Sequence, residues 1–326
     1  MIVVVQDLHT GGGERVMSNY LSRVKEKHVL YSSEECQNPH VESIEVTHWE
    51  TVPLFFRALG ILFRANKTQP IIVVLSKPII VFGLLNIIFK KNLYLYEHCD
   101  PYLLYFNRPG LAGHVKSAAL QFSLKKNKVI VVTELIKRKL VDGLQLKPIR
   151  IKVLNNPCVP ITTKLINIST TNYNLDEVYL IIARDSPEKR INQAISYYQN
   201  EIKSTATTLW LVSDTNRDIQ APDAIFKDYQ SLNDYVLTKK IFYRPTLLNF
   251  SVAESFSLII AEFLSSNLRV ISAYSDTLAQ IWAQFKGFHF ISLVERTDEQ
   301  RQSYMPISYM EYSENLKTII QETTNG

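Results

Sequence analysis

The sequence predicts an α/β protein with two Rossmann-like, parallel-sheet domains facing each other across a cleft. Three observations carry that expectation. Short apolar segments of strand length alternate with helical patterns through both halves of the chain. At 326 residues the chain exceeds what one hydrophobic core comfortably serves. A polar stretch with no clear period, Ile161–Asp176, separates the two alternating runs and reads as a linker.

The first run opens with the apolar strand Ile2–Gln6. Asp7–Gly13 (DLHTGGG) follows as a turn in which three adjacent glycines let backbone approach a ligand closely. It has neither the Gly-Lys-Ser/Thr of a P-loop nor a GxGxxG spacing, so a glycine turn with no ligand stays open. Glu14–Lys27 reads as a helix, with Val16, Tyr20, Leu21 and Val24 at helical spacing. Val29–Tyr31 and Ile44–Thr47 are strands, and Pro53–Ala65 is an apolar helix carrying Arg57 and Arg64. Pro70–Phe89 has the length of a membrane span, but Lys77 and Pro78 interrupt it. It divides better into a buried strand, Ile71–Leu75, and a buried helix, Ile79–Phe89. The strand Leu93–Glu97 ends in a polar cluster, Glu97-His98-Cys99-Asp100-Pro101, at the strand end where α/β sheets bind ligands. Helix Gly110–Lys125, strand Val129–Thr133, helix Glu134–Asp142 and strand Arg150–Leu154 complete this run, and Asn155-Asn156-Pro157 stops it.

The second run begins with strand Val178–Ala183 and helix Pro187–Lys203. Strand Thr208–Ser213, helix Ser231–Leu237 and strand Ile241–Tyr243 come next. Phe250–Ser272 reads as strand, tight loop, helix and strand. Ser275–Gln284 is a helix, Phe288–Ile291 a strand, and Asp298–Arg301 and Tyr309–Gln321 are terminal helical pieces. The expected domains are 1–165 and 166–308, with 309–326 as a terminal helix packing back on the first.

Composition narrows the classes. Apolar residues at 46% and charged residues at 21% fit a globular protein. The three cysteines, Cys36, Cys99 and Cys158, show neither metal spacing nor a disulfide framework, and Met1 runs straight into a strand with no signal peptide. A cytoplasmic protein is expected. Residues 1–160 carry 21 Lys+Arg against 12 Asp+Glu, whereas residues 161–326 carry 15 against 19. The basic half could face an anionic membrane surface, such as the inner face of the plasma membrane, or a phosphorylated substrate; a solvated basic surface is the plainer alternative. No aromatic-interleaved basic motif points to nucleic acid.

Two stretches of the second half carry chemistry. In Phe250–Ser272 the apolar helix Leu258–Leu264 starts after Ser255 and Ser257, residues favoured at N-caps. Free N–H groups at such a start suit an anion. Glu254 precedes the helix and Glu262 lies inside it, and a buried glutamate is rare without a partner. A phosphate at the helix start with a hydroxyl-rich group beside it would explain both; an ordinary loop acid and a solvated helix acid remain the alternative. In Ala183–Lys189 (ARDSPEK), Arg184 leaves a strand end and Lys189 opens the next helix. A cation there opposes the macrodipole unless it holds an anion, and a diphosphate would satisfy both cations. Solvated cations beside Asp185 and Glu188 are the alternative.

Taken in order, these residues resemble the family 4 glycosyltransferases, retaining enzymes of the GT-B fold. Gly11-Gly12-Gly13-Glu14-Arg15 is similar to the family's first glycine loop, and Asn155-Asn156-Pro157 to the end of its N-terminal domain. Arg184 with Lys189 resembles its arginine–lysine pair, and Glu254 with Glu262 its two glutamates separated by seven residues. The resemblance implies that Arg184 and Lys189 bind the donor diphosphate and stabilise the leaving nucleotide. It implies that Glu262 holds ribose hydroxyls, that Glu254 approaches the donor sugar, and that amides of Ser255, Phe256, Ser257 and Leu258 contact phosphate. Gly12 and Gly13 would line the opposite wall, and His98 would stand near the transferred sugar; a structural, hydrogen-bonded histidine is the alternative. The implied reaction moves a hexose or N-acetylhexosamine, with retention and without metal or other cofactor, from a nucleotide-diphosphate sugar, most simply a UDP-sugar. The acceptor would be a bacterial surface glycan or a lipid-linked oligosaccharide. Ser255 and Ser257 stand where the family has glycines, which is tolerable if φ stays negative. A catalytically silent GT-B subunit that binds a partner glycosyltransferase, and a sugar-nucleotide epimerase, are the rival functions.

Overall fold

The computed structural model describes residues 1–8, 12–46, 49–74, 76–98, 110–170, 176–214, 219, 222–252, 254, 256–291 and 302–322. Contacts divide the chain into Met1–Pro157 with Ile307–Gly326, and Cys158–Pro306.

The first unit holds a seven-stranded sheet of β1 (Ile2–Val4), β2 (His28–Ser32), β3 (Val41–Glu45), β4 (Ile71–Val74), β5 (Leu93–Glu97), β6 (Lys128–Val131) and β7 (Ile151–Val153). The order is β3-β2-β1-β4-β5-β6-β7, and every pairing is parallel. β1, β4 and β5 are buried along their whole length, because helices cover both faces of such a sheet. Those helices are α1 (Gly12–Leu21), α2 (Thr51–Arg64), α3 (Ser76–Phe89), α4 (Leu111–Lys126) and α5 (Glu134–Leu144). Thr133 caps α5, its hydroxyl accepting from the Ile136 amide at 3.3 Å. α3 begins three residues before the expected start, at Ser76. Pro78 falls in its first turn, where a missing N–H breaks no helical bond.

The second unit holds β8 (Asp176–Ile182), β9 (Thr207–Val212), β10 (Ala224–Phe226), β11 (Tyr243–Asn249), β12 (Arg269–Ser272) and β13 (Phe288–Phe290). The order, β10-β9-β8-β11-β12-β13, is again wholly parallel. This is the doubly wound order of Rossmann domains, whose strand sequence reverses between β8 and β11. Its helices are α6 (Ile191–Tyr197), α7 (Tyr229–Lys239), α8 (Leu258–Leu264) and α9 (Asp276–Trp282). The last helix, α10 (Tyr309–Glu322), belongs to the first unit. There the Tyr312 hydroxyl donates to that of Tyr96 at 3.2 Å, and the Tyr94 hydroxyl donates to the Ile320 carbonyl at 3.1 Å.

α1 ends at Leu21 rather than Lys27 and β3 covers Val41–Glu45 rather than Ile44–Thr47, and three further elements differ. β11 runs through Tyr243–Asn249 rather than stopping at Tyr243, despite Pro245 in a central strand. β12 pairs with β11 only from Thr246 onward, so the proline meets a neighbour on one side alone. The single helix expected over Pro187–Lys203 is three pieces: a 3-10 turn, Pro187–Lys189, then α6, then a π turn, Tyr198–Ile202. Arg190 makes the first break, with φ 48° and ψ 43° in the left-handed region. The expected linker is ordered where described: Ile161–Thr163 is a 3-10 turn, and Ile168 bridges to Tyr243. The helical piece expected over Asp298–Arg301 lies outside the described residues.

Candidate active site

In doubly wound sheets ligands gather beyond the strand C-termini at the point where strand order reverses. In the second unit that point lies beyond β8 and β11. Residues 183–189 leave β8 there and residues 250–252 leave β11, and the Val252 amide donates to the Glu188 carbonyl at 3.0 Å, tying the two loops. Lys189 Nζ lies 2.5 Å from Glu254 Oε1 and 3.4 Å from the Ser251 hydroxyl. Both members of the ion pair are largely buried, with side chains 20% and 13% exposed. The structure thus joins two residues that the sequence presented as separate motifs. It also removes the expected conflict of Lys189 with a helix dipole, since α6 starts beyond it and Glu254 neutralises it.

Arg184 is exposed at the end of β8. Burial pushes the Glu188 carboxyl up, but the Ser186 hydroxyl, its own amide and the charges of Lys189 and Arg184 outweigh this and hold it below the ordinary value. The Ser186 hydroxyl donates to Glu188 at 2.7 Å, so Glu188 is turned to its own loop.

Glu262 is 4% exposed on α8. One oxygen, Oε1, is paired with Lys164; no donor among the described residues reaches the other, Oε2. Lys164 was not expected from the sequence, because it lies in the polar stretch that carries no pattern. The serines at the start of α8 act differently from expectation. Ser257 makes no side-chain cap, its buried hydroxyl has no partner among the described residues, and its φ of 63° is left-handed. Ser257 thus holds a backbone conformation that glycine adopts without strain, and the condition that φ stay negative fails. Phe256 packs its ring 5.2 Å from Trp282, whose indole N–H donates to the Phe256 carbonyl at 2.8 Å. Leu258 opens α8, half-buried. Ser255 lies outside the described residues.

In the first unit strand order reverses between β1 and β4; Gly13, in the helix after β1, meets His98, which leaves β5, the strand beyond β4. Gly13 lies in the first turn of α1 against the His98 ring; a Cβ on it would stand 2.6 Å from His98 Cγ. Gly12 is exposed beside it. The His98 ring lies 4.0 Å from that of Tyr96, centroid to centroid, and burial pushes its imidazole down to about 3. It is neutral at physiological pH. Gly11, Cys99, Asp100 and Pro101 lie outside the described residues.

No protein-family model matches the chain, and neither does any curated protein sequence. Solved structures do. A sucrose-phosphate synthase from Thermosynechococcus elongatus superposes with a TM-score of 0.61 at 12% identity, covering 98% of this chain and 89% of its own. The Anabaena protein HepE, in complex with UDP-glucose, gives 0.58 at 13%, covering 99% and 90%. The lipopolysaccharide outer core galactosyltransferase WaaB, in its apo form, gives 0.57 at 12%, covering 99% and 90%. The fold is GT-B. The second unit of this GT-B chain places charged side chains where its strand order reverses, and the first sets Gly13 against a histidine from β5.

Proposed function

We propose that the chain is a retaining glycosyltransferase that moves a hexose or N-acetylhexosamine from a nucleotide-diphosphate sugar to a surface-glycan or lipid-linked acceptor. One observation carries this: Lys189 and Glu254, paired at the strand-order reversal of the second sheet, with Arg184 beside them on the same loop as Lys189. Departure of a nucleotide diphosphate builds negative charge on phosphate oxygens, and fixed cations stabilise that charge more than they stabilise the ground state. Arg184 offers a planar fork of donors and Lys189 a point charge. Glu254 orients the Lys189 ammonium and stands within reach of a sugar bound beside the diphosphate. Glu262 takes the ribose, and amides near Phe256–Leu258 take phosphate. A UDP-sugar is the preferred donor, because a structure of HepE with this fold holds UDP-glucose. Retention of configuration, without metal, follows from the resemblance to family 4. The second unit is then the donor-binding one. The first, with Gly12, Gly13 and neutral His98, serves the transferred sugar and acceptor.

The first unit also suits a cytoplasmic enzyme held at an anionic membrane. α2, α3 and α4 pack in succession and contain no aspartate or glutamate. They expose Phe56, Phe63, Ile88 and Val115 beside Arg57, Arg64 and Lys116. Amphipathic basic surfaces of this kind bind anionic lipid. No helix among the described residues is long and apolar enough to cross a membrane.

The test is a thermal-shift screen against UDP, GDP, ADP and TDP, alone and as their sugars. One nucleotide class raises the melting temperature; saturating ligand at about a hundredfold its Kd adds about 2.7 kcal/mol. A flat response to all of them sinks the proposal and leaves the silent subunit. Conversion of the stabilising donor without any acceptor supports the epimerase instead. Retention is checked by following the product's anomeric proton by NMR.

A further inference from the structure

Open parallel sheets bind their usual ligands beyond the strand ends. The first unit also has a cavity at the opposite edge, where its strands begin. Its volume is about 710 Å³, within the roughly 300–1,000 Å³ of small-molecule sites. Leu93 opens β5 there, Lys128 opens β6 and Arg150 precedes β7, while Lys90 follows α3 and Lys126 ends α4. Six cations line the cavity: Lys90, Lys91, Lys126, Lys128, Arg150 and Lys152. Among the described residues Glu322 is the only lining carboxylate, and it lies 2.8 Å from Lys152. The wall is fixed by two buried asparagines. Asn86 accepts from the Lys91 amide at 2.7 Å and donates to Asn127 Oδ1 at 2.8 Å. Asn127 Nδ2 in turn donates to the Gly83 and Ser123 carbonyls, at 3.0 and 2.8 Å, which ties α3 to α4.

Part of this charge serves the fold. The Lys91 ammonium donates to the Ala65 carbonyl at the end of α2, at 2.6 Å, and the Arg150 guanidinium to the Lys125 carbonyl near the end of α4, at 3.0 Å. Cations suit helix C-termini, which accounts for one at each helix end. It does not account for six converging on one hollow with a single carboxylate, since like charges repel. Burial pulls the Lys128 ammonium below its ordinary value, a cost that a neighbouring anion offsets. Ile87, Leu93 and Ile149 add apolar lining, so the hollow suits more than a bare ion. Phosphate esters concentrate charge, about −1.5 to −2 for each monoester, and lysine meets them as a point charge. We propose that this cavity is a second ligand site, which takes the phosphate end of an organic anion. It stands apart from the donor edge of the second unit and does not rest on the reading of Arg184, Lys189 or Glu254. A phospholipid headgroup and a soluble phosphate share this chemistry, and the experiment separates them.

Two variants of the full chain each lose the same charge, all at exposed positions. The cavity variant combines Lys90→Gln, Lys126→Gln and Arg150→Gln. The control combines Arg57→Gln, Arg64→Gln and Lys116→Gln on α2 and α4. Inorganic tripolyphosphate is titrated into each by calorimetry. In a second arm each is sedimented with vesicles of equimolar phosphatidylglycerol and phosphatidylcholine. Wild type is expected to bind in at least one arm, and that arm names the source of the phosphate. There the cavity variant should bind more than about tenfold more weakly, and the control less than about threefold. Equal losses in the two variants overturn the inference, because diffuse charge then explains the binding. Vesicle binding lost only in the control overturns it in favour of the helix face. Tripolyphosphate binding lost with Arg184→Gln but kept in the cavity variant overturns it in favour of the donor edge. Absence of binding in both arms overturns it outright, and the nucleotide screen still judges the donor reading by itself.

Discussion

The two sheets share one winding and treat its reversal point in opposite ways. In the second unit that edge is charged, with Arg184, Lys189 and Glu254 beside the Ser251 hydroxyl and the lysine and glutamate in contact. In the first it is built by shape: a glycine pressed on a buried, neutral imidazole. Charge at one edge and close packing at the other fail differently. Loss of a charged partner should reduce turnover in molecules that still fold, at a cost in stability from the mate left largely buried, and loss of the packing should act through the fold.

Four measurements break or sharpen that contrast. The largest effect is expected for Lys189→Ala, which removes the buried cation. Donor turnover per folded molecule should fall by roughly 100-fold or more, together with a lower melting temperature because Glu254 is left largely buried without its cation, and Glu254→Ala should follow it. Unchanged turnover in both would remove this edge from catalysis. Next is Gly13→Ala, whose methyl overlaps the His98 ring. Overpacking of this kind costs about 1–3 kcal/mol, read as a lower urea midpoint. A midpoint equal to wild type would show that the ring yields and the packing is loose.

The third is pH dependence. Below the ordinary histidine value, near 6.5, the unfolded chain binds a proton that folded His98 refuses until about pH 3. The unfolded state therefore holds more protons in that window, and stability falls as pH falls, by about 1.4 kcal/mol per unit for this group. Burial moves His28 in the same direction, so the slope is isolated by comparison with His98→Gln, which should be flatter between pH 6 and 4. A slope equal to wild type would contradict a neutral buried imidazole. The smallest effect is Ser257→Gly. Glycine accepts a φ of 63° without strain and removes a buried hydroxyl with no described partner, so a gain of about 1 kcal/mol is expected. A loss would show that the hydroxyl has a role.

The alternation of apolar segments disclosed the fold class because parallel strands buried on both faces read as near-continuous apolar runs, as β4 does throughout and β5 does up to Glu97. β11 was obscured because Arg244, Pro245 and Thr246 break its apolar run, and register with β12, invisible in sequence, is what accommodates the proline. The spacing of Arg184 with Lys189 and of Glu254 with Glu262 was legible; that Lys189 and Glu254, 65 residues apart, form one pair was not. Lys164 left no signal at all. It pairs with Glu262 across 98 residues from an unpatterned stretch, and only the folded turn from Ile161 and the Asn233 side chain, which donates to the Lys164 carbonyl, place it there.

α10 closes the first unit from the far end of the chain. Tyr94 and Tyr96 on β5 find their partners 226 and 216 residues later, in Ile320 and Tyr312. In chain order the second unit is an insertion within the first. On a ribosome adding about 5–20 residues per second, the seven strands wait on the order of 10–30 s for their closing helix while the intervening unit emerges. Until then two tyrosine hydroxyls and the face beneath α10 stay wet. The nascent first half is an unfinished body for that interval, and its maturation is timed by the synthesis of the other half.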